Sequence, residues 1–236
     1  MFDKLLWVNE NNQFVFRRNI VEYDMQSASL SVSERYNLLD KTLLEQLRNT
    51  PKIERVKRIG LLQRDSKEFS DRMLQGIIDT RQEFLDINGI TEDDIICLHS
   101  DAIVFDMKDA DIIDHVDNVK FIKKGQWSSY MLYQGVEMYY SDGVIDFKGI
   151  PKDILKQHTL GIVQHLVKIF ELLEACDDSI IPYMKKFHKK YLRDKLPDYY
   201  YTAFPRLGNF KMDNFQLFAF LMNVIRYDMR SWKYGG

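Results

Sequence analysis

Four short β-rich runs follow one another between residues 119 and 147, and nothing in the chain constrains its fold more. They cover 119–123, 127–133, 136–140 and 144–147. Asp142-Gly143 falls between the last two, and an Asp-Gly pair supplies the two left-handed residues of a tight hairpin. The runs read as an antiparallel meander. What flanks them is different. Residues 14–23 (FVFRRNIVEY) read as a strand with a bend at Arg18-Asn19. Ser31-x-x-Glu34 has the form of a capping box, and the helix it predicts spans about 34–48, with Tyr36, Leu39, Leu43, Leu44 and Leu47 at helical spacing. Pro51 closes that helix and starts one over 52–63. Asp65 or Ser66 caps a long helix to about Asn88, with Gly89 just beyond it. Residues 95–98 and 102–107 form two strands around His99-Ser100-Asp101. After Pro151 the pattern turns helical, over about 152–175, 179–194 and 213–230. Strand, helices, strand pair, meander and helices in that order predict an α+β fold rather than βαβ alternation.

Composition excludes several classes. With 45% hydrophobic and 29% charged residues, the chain is not disordered. No apolar window is long enough to span a bilayer, and the first residues do not read as a secretory signal. Cys97 and Cys176 sit in apolar runs, which predicts a reduced, cytoplasmic protein. A net charge of −2 leaves nucleic-acid affinity to local patches. The histidines lack metal-protease spacing; His158 and His165 are seven apart on a predicted helix with no further ligands. No phosphate loop, dinucleotide fingerprint or nucleophile elbow is present.

Two segments carry chemistry. In 23–31 (YDMQSASLS) a carboxylate, Asp24, ends a strand, and hydroxyl residues precede a helix. A strand-end carboxylate offers hard oxygen to a divalent cation, and backbone N–H groups at a helix start suit phosphate. In 98–105 (LHSDAIVF) a polar triplet places Asp101 at a tight turn. Asp and Ser are also ordinary turn and cap residues. Taken together, the two aspartates meet if their strands are neighbours, and a converging pair is what two-metal phosphoryl transfer requires.

Asp24-x-x-Ser27 before a helix resembles the first palm motif of family B DNA polymerases, Asp-x-x-Ser-Leu-Tyr-Pro-Ser. Ser100-Asp101-Ala102-Ile103 resembles the later half of that family's Asp-Thr-Asp-Ser-Ile hairpin. Phe121-Ile122-Lys123-Lys124 and Asp146-Phe147-Lys148-Gly149-Ile150 resemble its Lys-rich hairpin and Lys-Gly strand. The resemblance covers roughly residues 14–152. It implies a polymerase-palm-like antiparallel sheet over 1–150, finger helices inserted at about 34–88, and a helical thumb-like region over 151–236. It further implies that Asp24 and Asp101 are catalytic and bind Mg²⁺ or Mn²⁺. The sequence departs from the pattern in four places. His99 stands where the hairpin's first aspartate belongs, and Ser29-Leu30 replaces Tyr-Pro. The finger motif (Lys, then Asn-Ser-x-Tyr-Gly) is not visible, and only 23 residues precede Asp24, too few for a proofreading domain.

In this reading Ser27 and Ser29 lie beside a nucleoside triphosphate. Lys57 and Arg64, spaced with Lys67 by 7 and 3, neutralise it from one helical face. The same cations also suit a solvated face paired with Glu54, Asp65 and Glu68. Residues 185–195 hold six Lys/Arg, with Phe187 and Tyr191 facing inward. Lys185, Lys186, Lys189, Lys190 and Arg193, with Lys123, Lys124 and Lys148, are the expected contacts to a primer–template duplex. Tyr199, Tyr200, Tyr201 and Phe204 suit a buried aromatic cluster better than base stacking. The expected partners are nucleic acid, a triphosphate and a replication or transcription protein, with no membrane. Small size suits a virus-encoded protein, acting in host cytoplasm. The leading function is metal-dependent nucleotidyl transfer onto a 3′ end. The alternatives are a catalytically silent polymerase-derived module that binds nucleic acid or such a machine, and a structural or inhibitory mimic of the fold.

Overall fold

A computed structural model describes residues 4–107, 111–150, 152–157, 161, 163–200 and 219. The described chain is α+β, with two antiparallel sheets and flanking helices. It forms two compact units: residues 1–12 with 19–126, and residues 13–18 with 127–236. The boundary near 150 expected from sequence therefore falls inside the second unit.

The first unit holds a six-stranded sheet in the order β1-β4-β5-β3-β7-β6. Its strands are β1 (Leu6–Val8), β3 (Ile20–Met25), β4 (Ile95–His99), β5 (Ala102–Asp106), β6 (His115–Val116) and β7 (Val119–Trp127). β3 and β5 pair antiparallel, with Tyr23 opposite Ile103 and Asp24 opposite Ala102. Between β3 and β4 come α1 (Ala28–Arg35), α2 (Lys41–Arg48), α3 (Lys52–Asp65) and α4 (Lys67–Ile87). Alternation along β3 sends Val21, Tyr23 and Met25 to one face; all three pack in the core with Met73, Ile77 and Phe84 of α4. Tyr23 lies 5.7 Å from the Phe84 ring and 5.9 Å from Phe105. Asp24 takes the opposite face.

Several boundaries differ from the sequence reading. The helix predicted over 34–48 is two helices. The first begins at Ala28, and Ser31 sits within it, its Oγ donating to the Gln26 carbonyl. Asn37 turns left-handed (φ 49°) and breaks the run. Asp40 then caps α2 by accepting from the Leu43 N–H. α3 and α4 are separate, as expected, because Ser66 adopts an extended conformation and its Oγ accepts from the Phe69 N–H. The α4 terminus agrees with expectation: Gly89 has φ +61°, and the Ile90 N–H returns to the Leu85 carbonyl.

The second unit holds a four-stranded sheet in the order β10-β9-β8-β2. β2 is Phe14–Val15, β8 Ser129–Tyr133, β9 Val136–Ser141 and β10 Val144–Lys148. The strand expected over 14–23 thus turns at Arg17 (φ 53°) and divides between the two sheets. The Asp142-Gly143 turn is present, with φ 49° and 80°. Gln134-Gly135 makes a second such turn, with φ 50° and 77°. Within the helix expected over 152–175 the described residues form α5 (Lys152–Gln157) and α6 (Gln164–Glu174), and α7 (Ile180–Tyr191) follows. Leu166, Ile169, Phe170 and Leu173 of α6 share a core with Met131, Met138 and Tyr140 of the sheet and Ile180 and Met184 of α7. The helix expected over 213–230, apart from Ala219, and Tyr201, Phe204 and His158 lie outside the described residues.

Candidate functional site

The strongest site candidate lies in the first unit, where β3 hands over to α1. A pocket of about 360 Å³ is lined by the segment Asp24–Leu30, by Lys52, Arg55, Val56 and Ile59 of α3, by Ile122 and Lys124 of β7, and by Asp101. Its two aspartates come from adjacent strand ends. Asp24 is opposite Ala102 in the ladder, and the Met25 N–H donates to the Asp101 carbonyl at 2.9 Å. Asp24 senses the Asp101 charge. Burial, and next the Asp101 charge, push the Asp24 carboxyl above its usual range. Lys124 acts in the other direction, its Nζ 3.6 Å from Asp24 Oδ2. The side chains remain accessible, Asp24 at 30% and Lys124 at 48%.

Opposite the acids is the start of α1. Ser27 is its N-cap residue, yet it is left-handed (φ 51°) and its side chain caps no backbone N–H. The hydroxyl is instead 3.4 Å from the Arg55 guanidinium. The Leu30 and Ser31 amides already donate to the Ser27 carbonyl. The amides of Ala28 and Ser29 lie ahead of any intrahelical acceptor. Helix start, hydroxyl and arginine together make a surface suited to an anion. Val56, Ile59, Leu30 and Ile122 add an apolar lining beside it.

The other end of α1 is pinned. Arg35 bridges Glu83 at 2.6 Å and Asp117 at 2.8 Å, and also donates to the Thr80 hydroxyl. Both edges of the acidic cleft carry left-handed serines, since Ser100, immediately before Asp101, has φ 43°. Such conformations are costly for residues with a Cβ and concentrate at functional sites.

Of the residues singled out from sequence, the structure brings together Asp24, Asp101, Ser27, Ser29 and Lys124. Lys57 and Arg64 do not line the pocket, and α3 ends before Lys67, so the three cations do not share one helix. Lys57 is exposed and Arg64 pairs with its neighbour Asp65. The pocket face of α3 carries Lys52, Arg55, Val56 and Ile59, an i, i+3, i+4, i+7 set. Lys52 and Arg55 are thus the cations that sequence reasoning passed over, and that same apolar-and-basic spacing was the available signal. Strand alternation separates Lys123 from Lys124: the Lys123 ammonium donates to Gln126 at 2.8 Å.

The remaining basic residues belong to the second unit. Lys185, Lys186, Lys189 and Lys190 are exposed on α7, and Arg193 follows its end. Phe187 faces inward, stacked 3.5 Å from the His165 ring and edge-on to Tyr200. Lys148 lies over the Tyr139 ring at 5.1 Å. His99 is 3.1 Å from the Cys97 sulfur, through Nε2.

One protein family matches this chain over residues 1–233, the family described as Bacteriophage PBS1 gene 130 protein. The chain belongs to that phage protein family. Its origin is thus viral at that level, as its small size led us to expect. No curated protein matches it. No described helix of this phage-family protein is long and apolar enough to cross a membrane.

Proposed function

We propose that this phage-family protein is a metal-dependent nucleotidyltransferase, a minimal DNA-polymerase-like enzyme acting on a nucleic-acid 3′ end. The observation that carries the reading is the meeting of Asp24 and Asp101 in one pocket with the α1 start and Arg55. A volume near 360 Å³ is within the range of small-ligand sites. The donor set suits Mg²⁺ or Mn²⁺, which favour hard oxygen ligands and need only one or two protein carboxylates when phosphate supplies the rest. Burial and, after it, the Asp101 charge raise the Asp24 carboxyl, and a bound dication relieves the repulsive part.

In this reading Asp24 and Asp101 hold the cation. When bound, it supplies positive charge to the phosphoryl oxygens during in-line displacement. Ser27 and the amides of Ala28 and Ser29 donate hydrogen bonds to the phosphates. Arg55 and Lys52 neutralise their charge, as triphosphate chemistry requires. The apolar lining of Val56 and Ile59 receives the less polar part of the nucleotide. The exposed lysines of α7, with Lys148 and Lys123, offer the salt-dependent contacts that a phosphate backbone seeks.

Single-turnover primer extension with Mg²⁺ or Mn²⁺ tests the assignment. Asp24→Ala and Asp101→Ala are each expected to lose activity by two orders of magnitude or more, roughly the effect of removing one preorganised electrostatic group. Wild-type rates in both variants refute the metal assignment.

A second reading, a catalytically silent module of polymerase descent, is favoured by two observations. Lys124 already supplies a counter-charge to Asp24, and His99 occupies the position where the resemblance calls for another carboxylate. Calorimetry with Mn²⁺ separates the two. Absence of Mn²⁺ binding with retained, salt-dependent DNA binding selects the silent module.

A further inference from the structure

The turn that carries Asp101 is held from outside as well as by its own ladder pair. It is a two-residue connection between His99 and Ala102, paired across β4 and β5, and its first residue is a left-handed serine. Besides the Met25 N–H on the Asp101 carbonyl, two groups from elsewhere grip its first residue. The Ser100 N–H donates to the Leu5 carbonyl at 2.7 Å, just before β1. The Ser100 carbonyl accepts from Arg81 of α4 at 2.8 Å. The same guanidinium nitrogen donates to the Leu5 carbonyl at 3.1 Å, and the other terminal nitrogen donates to the Lys4 carbonyl.

Arg81 is fully buried. Burying a guanidinium costs several kcal/mol unless its donors find acceptors, and burial holds its pKa down to about 10, so it remains charged at neutral pH. A planar fork reaches several carbonyls at fixed angles, which an apolar side chain cannot do and a lysine does only in part. Packing alone would be served by a leucine, as at Leu85 one turn further along the same buried face.

We propose that Arg81 is the positioning residue for Asp101: by gripping the Ser100 carbonyl together with Leu5 and Lys4, it fixes where the Asp101 carboxylate meets Asp24. This inference rests on the nucleotidyl-transfer reading for its functional consequence, but not for its structural content. The pocket is lined by Asp101 and not by Arg81, so Arg81 acts through the turn alone.

The test compares wild type with Arg81→Lys and Arg81→Met by two measurements. The first is amide hydrogen exchange at Ser100, which donates to Leu5, and at Met25, which donates to Asp101. The second is affinity for Mn²⁺ alone. Supporting partners of metal ligands typically alter affinity by about tenfold or more when removed. The expected order of Mn²⁺ affinity is therefore wild type, then Arg81→Lys, then Arg81→Met about tenfold below wild type. Ser100 and Met25 should exchange faster in the same order, while Met131 and Met138 of the second unit are unchanged. In primer extension kcat should fall while KM for the nucleotide stays within about twofold, since the phosphate-binding residues are untouched. Exchange and Mn²⁺ affinity at wild-type levels in the folded variants overturn the proposal. If Arg81→Met does not fold, Arg81→Lys is read alone by the same criterion. If the wild type binds no Mn²⁺, the nucleotidyl-transfer reading falls, and exchange at Ser100 and Met25 still decides whether Arg81 holds the turn.

Discussion

Gly76 sets how closely α1 approaches α4, and changing it to alanine should disturb the site without touching it. A Cβ built at Gly76 lies 2.6 Å from Val32 Cγ1 and 2.9 Å from Tyr36 Cδ2. Comfortable carbon–carbon contacts are about 3.5–4.0 Å, so α1 must move by roughly 1 Å or its side chains must yield. Val32 is fully buried and β-branched, and within a helix it has little rotamer freedom. Overpacking of this kind costs about 1–3 kcal/mol. Replacing a mid-helix glycine returns about 1 kcal/mol of helix propensity. The net expectation for Gly76→Ala is a loss of about 0–2 kcal/mol, with the displacement passed along α1 to Ser27. Gly60 of α3 provides the control, because nothing lies within 4 Å of its built Cβ. Gly60→Ala should gain about 1 kcal/mol. Urea denaturation, read from amide exchange of Ile77 and Phe84 in α4, measures both. If Gly76→Ala stabilises as much as Gly60→Ala, the close packing of α1 on α4 is wrong.

Other expectations concern charge and conformation. Arg55→Gln should weaken binding of a Mn²⁺–triphosphate by about tenfold, near 1.4 kcal/mol, whereas Lys57→Gln and Arg64→Gln should leave it unchanged; titration calorimetry separates them. Asp24 has a folded pKa above the unfolded value of 3.8, so the folded state binds its proton more tightly. Stability should then fall as pH rises from 3.8 through the raised folded value, and Asp24→Asn should be more stable than wild type at pH 7 but not below pH 3.8. His165 has the opposite sign: burial lowers its imidazole to about 3 from 6.5, so the second unit should lose stability as pH drops below 6.5. Urea midpoints at pH 5 and 7 should show this slope in wild type and lose it in His165→Gln. Ser100→Gly relieves a left-handed serine and should stabilise by roughly 1 kcal/mol, measured by thermal unfolding; a loss would mean that the Ser100 side chain carries more than its backbone strain.

What sequence made legible was local chemistry with strong rules behind it. The Asp142-Gly143 turn and the Gly89 terminus of α4 follow from left-handed geometry that few residues tolerate. The two aspartates were legible because one ends an apolar strand and the other sits in a polar triplet between two. Their convergence rests on the β3–β5 pairing, a long-range fact that no local pattern encodes. The start of α1 was misjudged because Ser31-x-x-Glu34 has cap spacing, whereas Ser27, turning left-handed out of β3, begins the helix a turn earlier. The sequence singled out Lys57 and Arg64, whereas Lys52 and Arg55 line the pocket. On a helix a face is defined only once its phase is known, and the break at Ser66 puts Lys67 on a different helix from Lys57 and Arg64. β1 escaped notice because three residues show too little alternation to distinguish them from a loop.

The excursion of residues 13–18 into the second sheet has a consequence for how this polypeptide is made and cut. Phe14 and Val15 zip onto Met131 and Tyr130, although more than a hundred residues of synthesis separate them. The meander therefore waits with one flank bare until the opening segment returns to cover it, a slow, non-local closure. Cleaving the backbone after Gln126 would not liberate a whole lobe: the downstream fragment would leave its border strand behind on the other piece, with β8 exposed as an unprotected ribbon inviting self-association.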